Sequence, residues 1–98
     1  MSDNRHYQWN SEDYARPSAP QLEWATELIA KLRLTGNESV LDIGSGDGQV
    51  TALLARAVPR GAVLGMDSSP DMITRARQQH PPAEYPNLSF VRMDARAI

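Results

Sequence analysis

Cysteine is missing from all 98 residues. Its absence excludes a disulfide framework, a thiolate zinc site and a cysteine nucleophile, and it fits a reducing compartment. No charge of one sign dominates either: 10 Lys and Arg against 12 Asp and Glu leave a formal net charge of −2. That balance offers no electrostatic footprint for nucleic acid or an anionic membrane surface. Long apolar runs are lacking too, and all fall far short of the roughly 20 residues that span a bilayer. Residues Met1–Asn10 are polar, without the apolar middle of a secretion signal. Aromatics make up only 6 %, yet hydrophobic residues reach 41 %, enough for the core of one small domain. A cytoplasmic protein with no nucleic-acid and no membrane partner is the expectation.

What is there divides into a polar arm and an alternating domain. Residues 1–17 carry Tyr7, Trp9 and Tyr14 in a polar setting and read as a loosely structured arm. Residues 18–98 read as the domain. Ser18 and Gln21 have capping-box spacing, Pro20 suits a helix start, and Leu22, Ala25, Leu28, Ile29 and Leu32 form one apolar stripe. Gly36 is a plausible stop for that helix. Val40–Ile43 reads as a short buried strand, Gln49–Val58 as a helix, and Ala62–Asp67 as a second strand. Ser69 as N-cap and Pro70 at the first helical position start another helix. Its inner stripe is Met72, Ile73 and Ala76, and the prolines of "HPPAEYPN" end it. Leu88–Asp94 is a third strand. Helix and strand alternating three times predict an α/β fold: a Rossmann-like parallel sheet with flanking helices in three layers.

Ligands of open parallel sheets bind beyond the carboxyl ends of the strands. Each strand here ends at or beside an aspartate, namely Asp42, Asp67 and Asp94. After the first strand, Gly44, Gly46 and Gly48 stand on alternate positions and lead into a helix, whose amino end carries unpaired amides. Asp67 follows Gly44 by roughly 20 residues, the offset at which an acid binds ribose hydroxyls. The loop itself is acidic. Asp42 and Asp47 would repel a pyrophosphate and attract a cation, and Gln49 stands where a dinucleotide fingerprint needs its third glycine. Taken alone, Asp67 also reads as a helix cap, Asp94 as an ordinary polar strand end, and the glycines as a turn.

In combination, "VLDIGSGDGQVT", "VLGMDSSPDMI" and "FVRMDA" resemble the three successive motifs of class I S-adenosylmethionine-dependent methyltransferases. The segment "YARPSAPQLEWATELIAKL" is similar to the opening of their small-molecule members. The likeness runs from about Tyr14 to Ala95. It implies that the Gly44, Gly46 and Gly48 backbone holds the methionine part of S-adenosyl-L-methionine. Asp42 would serve the ammonium group, Asp67 the ribose hydroxyls, Asp94 the adenine amino group and Ala95 a ring nitrogen. Ser68 and Met72 would pack on the adenine. The implied activity is methyl transfer to a small-molecule acceptor, with no metal and no assignable general base.

The resemblance also implies four further strands that supply the acceptor pocket. Only the first three strands are expected here, which makes the chain a cofactor-binding half, inactive alone. The side of Val40–Ile43 where strand four would pair is expected to be an open edge, inviting self-association. Two other classes stay open: a fragment of an NAD-type oxidoreductase, disfavoured by the acidic loop, and a non-catalytic binding or assembly module. Tyr7, Trp9 and Tyr14 are either a lid over the site or staples for the arm. Trp24, Met66, Met72 and Met93 read as packing, and His6 and His80 as solvated loop residues.

Overall fold

The strands pair in chain order, all parallel. A computed structural model describes residues 6–10, 19–94 and 96. Its elements are β1 (His6–Asn10), α1 (Ala19–Lys31), β2 (Ser39–Ile43), α2 (Gln49–Ala57), β3 (Ala62–Asp67), α3 (Pro70–Gln79) and β4 (Leu88–Arg92). They form one sheet of order β1-β2-β3-β4. Register sets Val40 beside Val63 and Val63 beside Leu88, then Asp42 beside Gly65 and Gly65 beside Phe90. These residues share the face on which α2 and α3 pack, with α1 against α2. The core lies there: Ile29, Val40, Val50, Leu54, Val58, Val63, Ile73 and Phe90 are all buried.

Local sequence explains each boundary. Ser69 Oγ accepts the amide of Met72 at 3.3 Å and Pro70 occupies the first turn of α3, as the cap pattern required. Helix α1 stops earlier than Gly36. The carbonyls of Ile29 and Ala30 are taken by the amides of Leu32 and Arg33, and Arg33 turns the chain with a φ of 53°. Gly36 instead shapes the following turn. Ser18 of the expected capping box lies outside the described residues.

Two expectations need correction. The arm is not loose throughout, since residues 6–10 form a strand on β2, with Tyr7 level with Val40 and Trp9 level with Asp42. It occupies the side of β2 expected to be bare, so the three expected strands, β2 to β4, are joined by a fourth at the edge. Backbone pairing asks only for free amides and carbonyls on a neighbour, which a polar sequence can supply without a hydrophobic pattern. The layering also differs: among the described residues, helices cover one face only. Val63 is 1 % exposed and the adjacent Leu64, pointing the opposite way, is 37 % exposed. Met93 and Trp24, read as packing, are exposed as well, whereas Met66 is buried.

Candidate functional site

Strand β2 runs into its loop through two hydrogen bonds to one acceptor. The amides of Gly44 and Ser45 both donate to the Met66 carbonyl at 2.8 Å, turning the chain back over β3. Gly44, Gly46 and Gly48 take φ values of 75°, 58° and 87°, the left-handed region where a side chain is strained. At Gly46 a Cβ would meet no atom within 4 Å. The loop apex is therefore bare main chain facing open space. At Gly48 the requirement is different, because a Cβ would lie 2.7 Å from Phe90 Cζ.

Asp67, the last residue of β3, fixes that apex. Its Oδ2 accepts the Gly46 amide at 2.9 Å and its Oδ1 accepts the Ser69 amide at 2.9 Å. One carboxylate thus ties the glycine loop to the cap of α3. The exit of β4 is drawn to the same place, as the Met93 amide donates to the Asp67 carbonyl at 3.0 Å. Beyond these strand ends lies a cavity of about 330 Å³ lined by Ile43, Gly44, Met66, Ser68, Met93, Asp94 and Arg96.

The nine residues singled out from sequence divide accordingly. Gly44, Ser68 and Asp94 line the cavity, and Gly46 and Asp67, bonded to each other, lie close in the chain to lining residues without being among them. Gly48 lies behind the loop as the N-cap of α2, against Phe90. Met72 is half-buried in the first turn of α3 and is not part of the cavity wall. Asp42 has no solvent-exposed surface, and Thr51 Oγ1 of α2 donates to its Oδ2 at 2.6 Å. It braces the loop from below. Ala95 lies outside the described residues, as does Tyr14; the backbones of Tyr7 and Trp9 lie in β1.

Electrostatics of the rim are acidic but partly paired. Asp94 accepts from Arg96 at Nη2 (2.8 Å), at Nε and at the backbone amide, and this pairing holds its carboxyl below the usual range. Asp47 turns its carboxylate to Gln49, accepting from the side-chain amide at 3.0 Å and the backbone amide at 3.4 Å. Among the described residues no group of three or more His, Asp or Glu is placed to hold a metal. No helix among them is long and apolar enough to cross a membrane.

Several residues of this architecture escaped sequence reasoning. Ser45 lies buried under the loop, its hydroxyl without a partner among the described residues. Thr51 is legible only afterwards, as a hydroxyl one turn into the helix that follows an acid-bearing strand. Gly65 reads as a plain strand residue, yet a Cβ there would meet Phe90 Cδ1 at 2.7 Å and Ser45 Cβ at 3.1 Å. His80, expected in solvent, has both ring nitrogens buried.

Comparison with known proteins agrees with this geometry. Trans-aconitate 2-methyltransferase of Escherichia coli K12 is 40 % identical over 88 residues, covering 90 % of this chain and 33 % of that protein. The Shigella flexneri protein of the same name is also 40 % identical over 88 residues, with the same coverage. The chain thus spans about a third of the length of the curated relatives it matches. Among solved structures, coclaurine N-methyltransferase bound to N-methylheliamine and SAH superposes with a TM-score of 0.66 at 17 % identity, over 83 % of this chain and 26 % of that one. Magnesium protoporphyrin IX methyltransferase from Synechocystis, with bound SAH, gives 0.59 at 24 % identity over 83 % and 42 %. These structural likenesses establish the shared Rossmann-like fold. Residues 40–98, which hold the glycine loop and all three strand-end aspartates, match the family model described as "Methyltransferase domain", and the chain belongs to that family.

Proposed function

We propose that this chain binds S-adenosyl-L-methionine at the carboxyl edge of the sheet and is the cofactor-binding part of an enzyme that methylates a small-molecule acceptor. One observation carries the reading: Asp67 holds the amides of Gly46 and Ser69 beside a cavity, beneath a glycine apex with open space above it. The fit to the cofactor is chemical. A sulfonium and an ammonium are cations, and the loop and strand ends carry carboxylates where a pyrophosphate site would exclude them. When bound, the cofactor supplies an electrophilic methyl group.

In this reading the backbone of Gly44, Gly46 and Gly48 lets the methionine part approach closely. Asp67 accepts the ribose hydroxyls, Asp94 and Ala95 serve the adenine, and Ser68 and Met72 flank it. Asp42 acts from beneath, since its carboxylate is buried on Thr51 and reaches the ammonium through the field or an intervening water. Asp94 must exchange Arg96 for the adenine amino group, a small cost because the ion pair is exposed. The protein's part in transfer is to hold the methyl carbon in line with the acceptor and to keep water out. A cytoplasmic location belongs to the proposal. So does self-association, now through the outer edge of β1 rather than of β2; light scattering from a monomer at micromolar concentration overturns it.

Titration calorimetry with S-adenosylhomocysteine and with NAD tests the reading. Saturable binding of the first and none of the second is expected, and Asp67→Ala should weaken the first about ten-fold or more. Binding of NAD in preference, or S-adenosylhomocysteine affinity untouched by Asp67→Ala, overturns it. The acceptor named for the relatives, trans-aconitate, is the first to assay with a chain of their full length.

A further inference from the structure

His80 caps the carboxyl end of α3, and neither of its buried ring nitrogens has a hydrogen-bond partner among the described residues. Its ring meets Tyr85 edge-on, with centroids 5.4 Å apart, and lies tilted against Phe90 at 6.3 Å. The third side of this packing is the glycine loop. A Cβ on Gly48 would come within 3.0 Å of His80 Cδ2, so the imidazole edge presses on the hinge between loop and α2.

Charged groups surround the ring from each element packed on it. Asp47 of the loop and Glu84 of the α3–β4 connection favour a charged imidazole, and Arg56 of α2 opposes it. Arg56 is itself held there, donating to Tyr85 Oη at 2.8 Å with its guanidinium 5.3 Å from the ring centre. Burial outweighs the acids and keeps His80 below its ordinary value.

We propose that His80 is a positioning residue for the cofactor loop: its uncharged ring, wedged against Gly48, holds the loop in its receiving shape, and protonation of the ring releases it. The reason is the supply of acceptors. A protonated imidazole carries two N–H donors, and a buried donor without an acceptor is unfavourable. The groups that favour the charged ring are Asp47, through its carboxylate and its backbone, and Glu84; the ring nitrogens have no hydrogen-bond partner among the described residues, and the Asp47 carboxylate is turned to Gln49. Pairing the charged ring with Asp47 pulls on the backbone between Gly46 and Gly48, the segment Asp67 anchors. Because the fold favours the neutral ring, the receiving shape is fully stabilised above the ordinary histidine value near 6.5 and loses that support as pH falls from there.

This inference rests on the cofactor reading, and its test separates the two. S-adenosylhomocysteine binding by calorimetry at pH 7.5 and 5.5 should weaken about two- to four-fold at the lower pH in the natural chain. In His80→Phe, which keeps the packing and removes the proton site, the two affinities should agree, His6 being the other histidine. Equal pH dependence in both overturns the proposal. A readout without ligand or variant comes from nuclear magnetic resonance: the amides of Gly46 and Gly48 should titrate with the midpoint of the His80 ring. Loop amides that stay still, or that follow His6, overturn it. No binding at pH 7.5 would sink the cofactor reading alone, and the amide titration would still decide the role of His80.

Discussion

Glu38 and Asp67 use the same chemistry at opposite ends of the sheet and come to opposite ends. Each carboxylate gathers main-chain amides beside a glycine of positive φ. Glu38, just before β2, accepts from the amides of Thr35 (2.7 Å) and Gly36 (2.9 Å) and from the Thr35 hydroxyl (3.0 Å). Asp67, closing β3, accepts from Gly46 and Ser69. Glu38 is sealed from solvent, although it lies just beneath the surface rather than deep inside. A Cβ on its glycine, Gly36, would meet Arg60 Nη2 at 3.0 Å. At Gly46 the same position is empty. A strand-end acid becomes a staple when its loop is packed over; where the loop is bare, as at Gly46, the same arrangement leaves room to seat the proposed ligand.

Substitution should separate the two roles. Removing the Glu38 carboxylate takes the acceptor from the Thr35 and Gly36 amides, while the Thr35 hydroxyl keeps Asn37 Oδ1 at 2.6 Å, and Glu38→Ala is expected to cost about 2–3 kcal/mol. In a chain of this size that lowers the thermal midpoint by about 10 °C or more, readable by circular dichroism. Asp67→Ala should lower it by less than half as much while losing most affinity for S-adenosylhomocysteine. If Glu38→Ala stays folded at low temperature yet binds worse than Asp67→Ala, the division into staple and seat is wrong.

Acid probes the staple without a change of sequence. Burial alone would raise the Glu38 carboxyl, but the amides of Thr35 and Gly36 and the Thr35 hydroxyl overcome that and lower it to about 2. A folded value below the unfolded one means stability that is complete above the ordinary glutamate value of 4.5 and lost as pH falls toward about 2. Thermal midpoints measured from pH 6 down should drop through that window. Glu38→Gln, which cannot charge, should flatten the drop; an unchanged slope in Glu38→Gln assigns the acid sensitivity elsewhere.

Legibility followed the same line between packed and bare. Strands β2 to β4, the start of α3 and the Ala25–Ile29 stripe could be read because burial imposes periodicity and caps impose residue types. The glycine loop could be read because three positions of positive φ call for glycine, and Asp67 because it closes a strand just before a helix cap. Glu38 could not be distinguished from a surface acid, since its donors come from a turn whose shape is set by tertiary contacts. Strand β1 left only a faint signal, Tyr7 and Trp9 on alternate positions of a short polar segment. The burial of Asp42 was hidden for a related reason. An acid one residue from the strand end reads as rim, but strand alternation turns it onto the helix face, where Thr51 receives it. His80 looked solvated amid prolines, and only Gly48, Tyr85 and Phe90 converging from three elements bury it.

Within the seat itself, Gly48 and Gly46 sharpen the contrast further. Gly48→Ala adds a methyl against Phe90 at a φ of 87°, and strain plus overlap should cost about 2 kcal/mol. Because Phe90 is packed in the core, it has little room to yield, so the loop hinge must shift instead. Differential scanning calorimetry should register that loss. A midpoint within a degree of the natural chain would mean the hinge is softer than its packing indicates.

Gly46→Ala is the smallest perturbation to stability and the most specific one for function. Its φ of 58° lies in the left-handed region, so the new methyl costs about 1 kcal/mol through the backbone alone. No neighbour within 4 Å resists it, and the Gly46 amide can still donate to Asp67. The folded chain should therefore melt only about 4–8 °C lower. The methyl projects, however, into the open space above the loop, where the proposed binding mode brings the cofactor's methionine part close to the backbone. S-adenosylhomocysteine affinity should fall by about ten-fold, more than the stability change explains, because contact there is lost rather than merely strained. Gly46→Ala with full affinity would show that the bare apex is a turn and nothing more, and the contrast with Gly36 would lose its meaning.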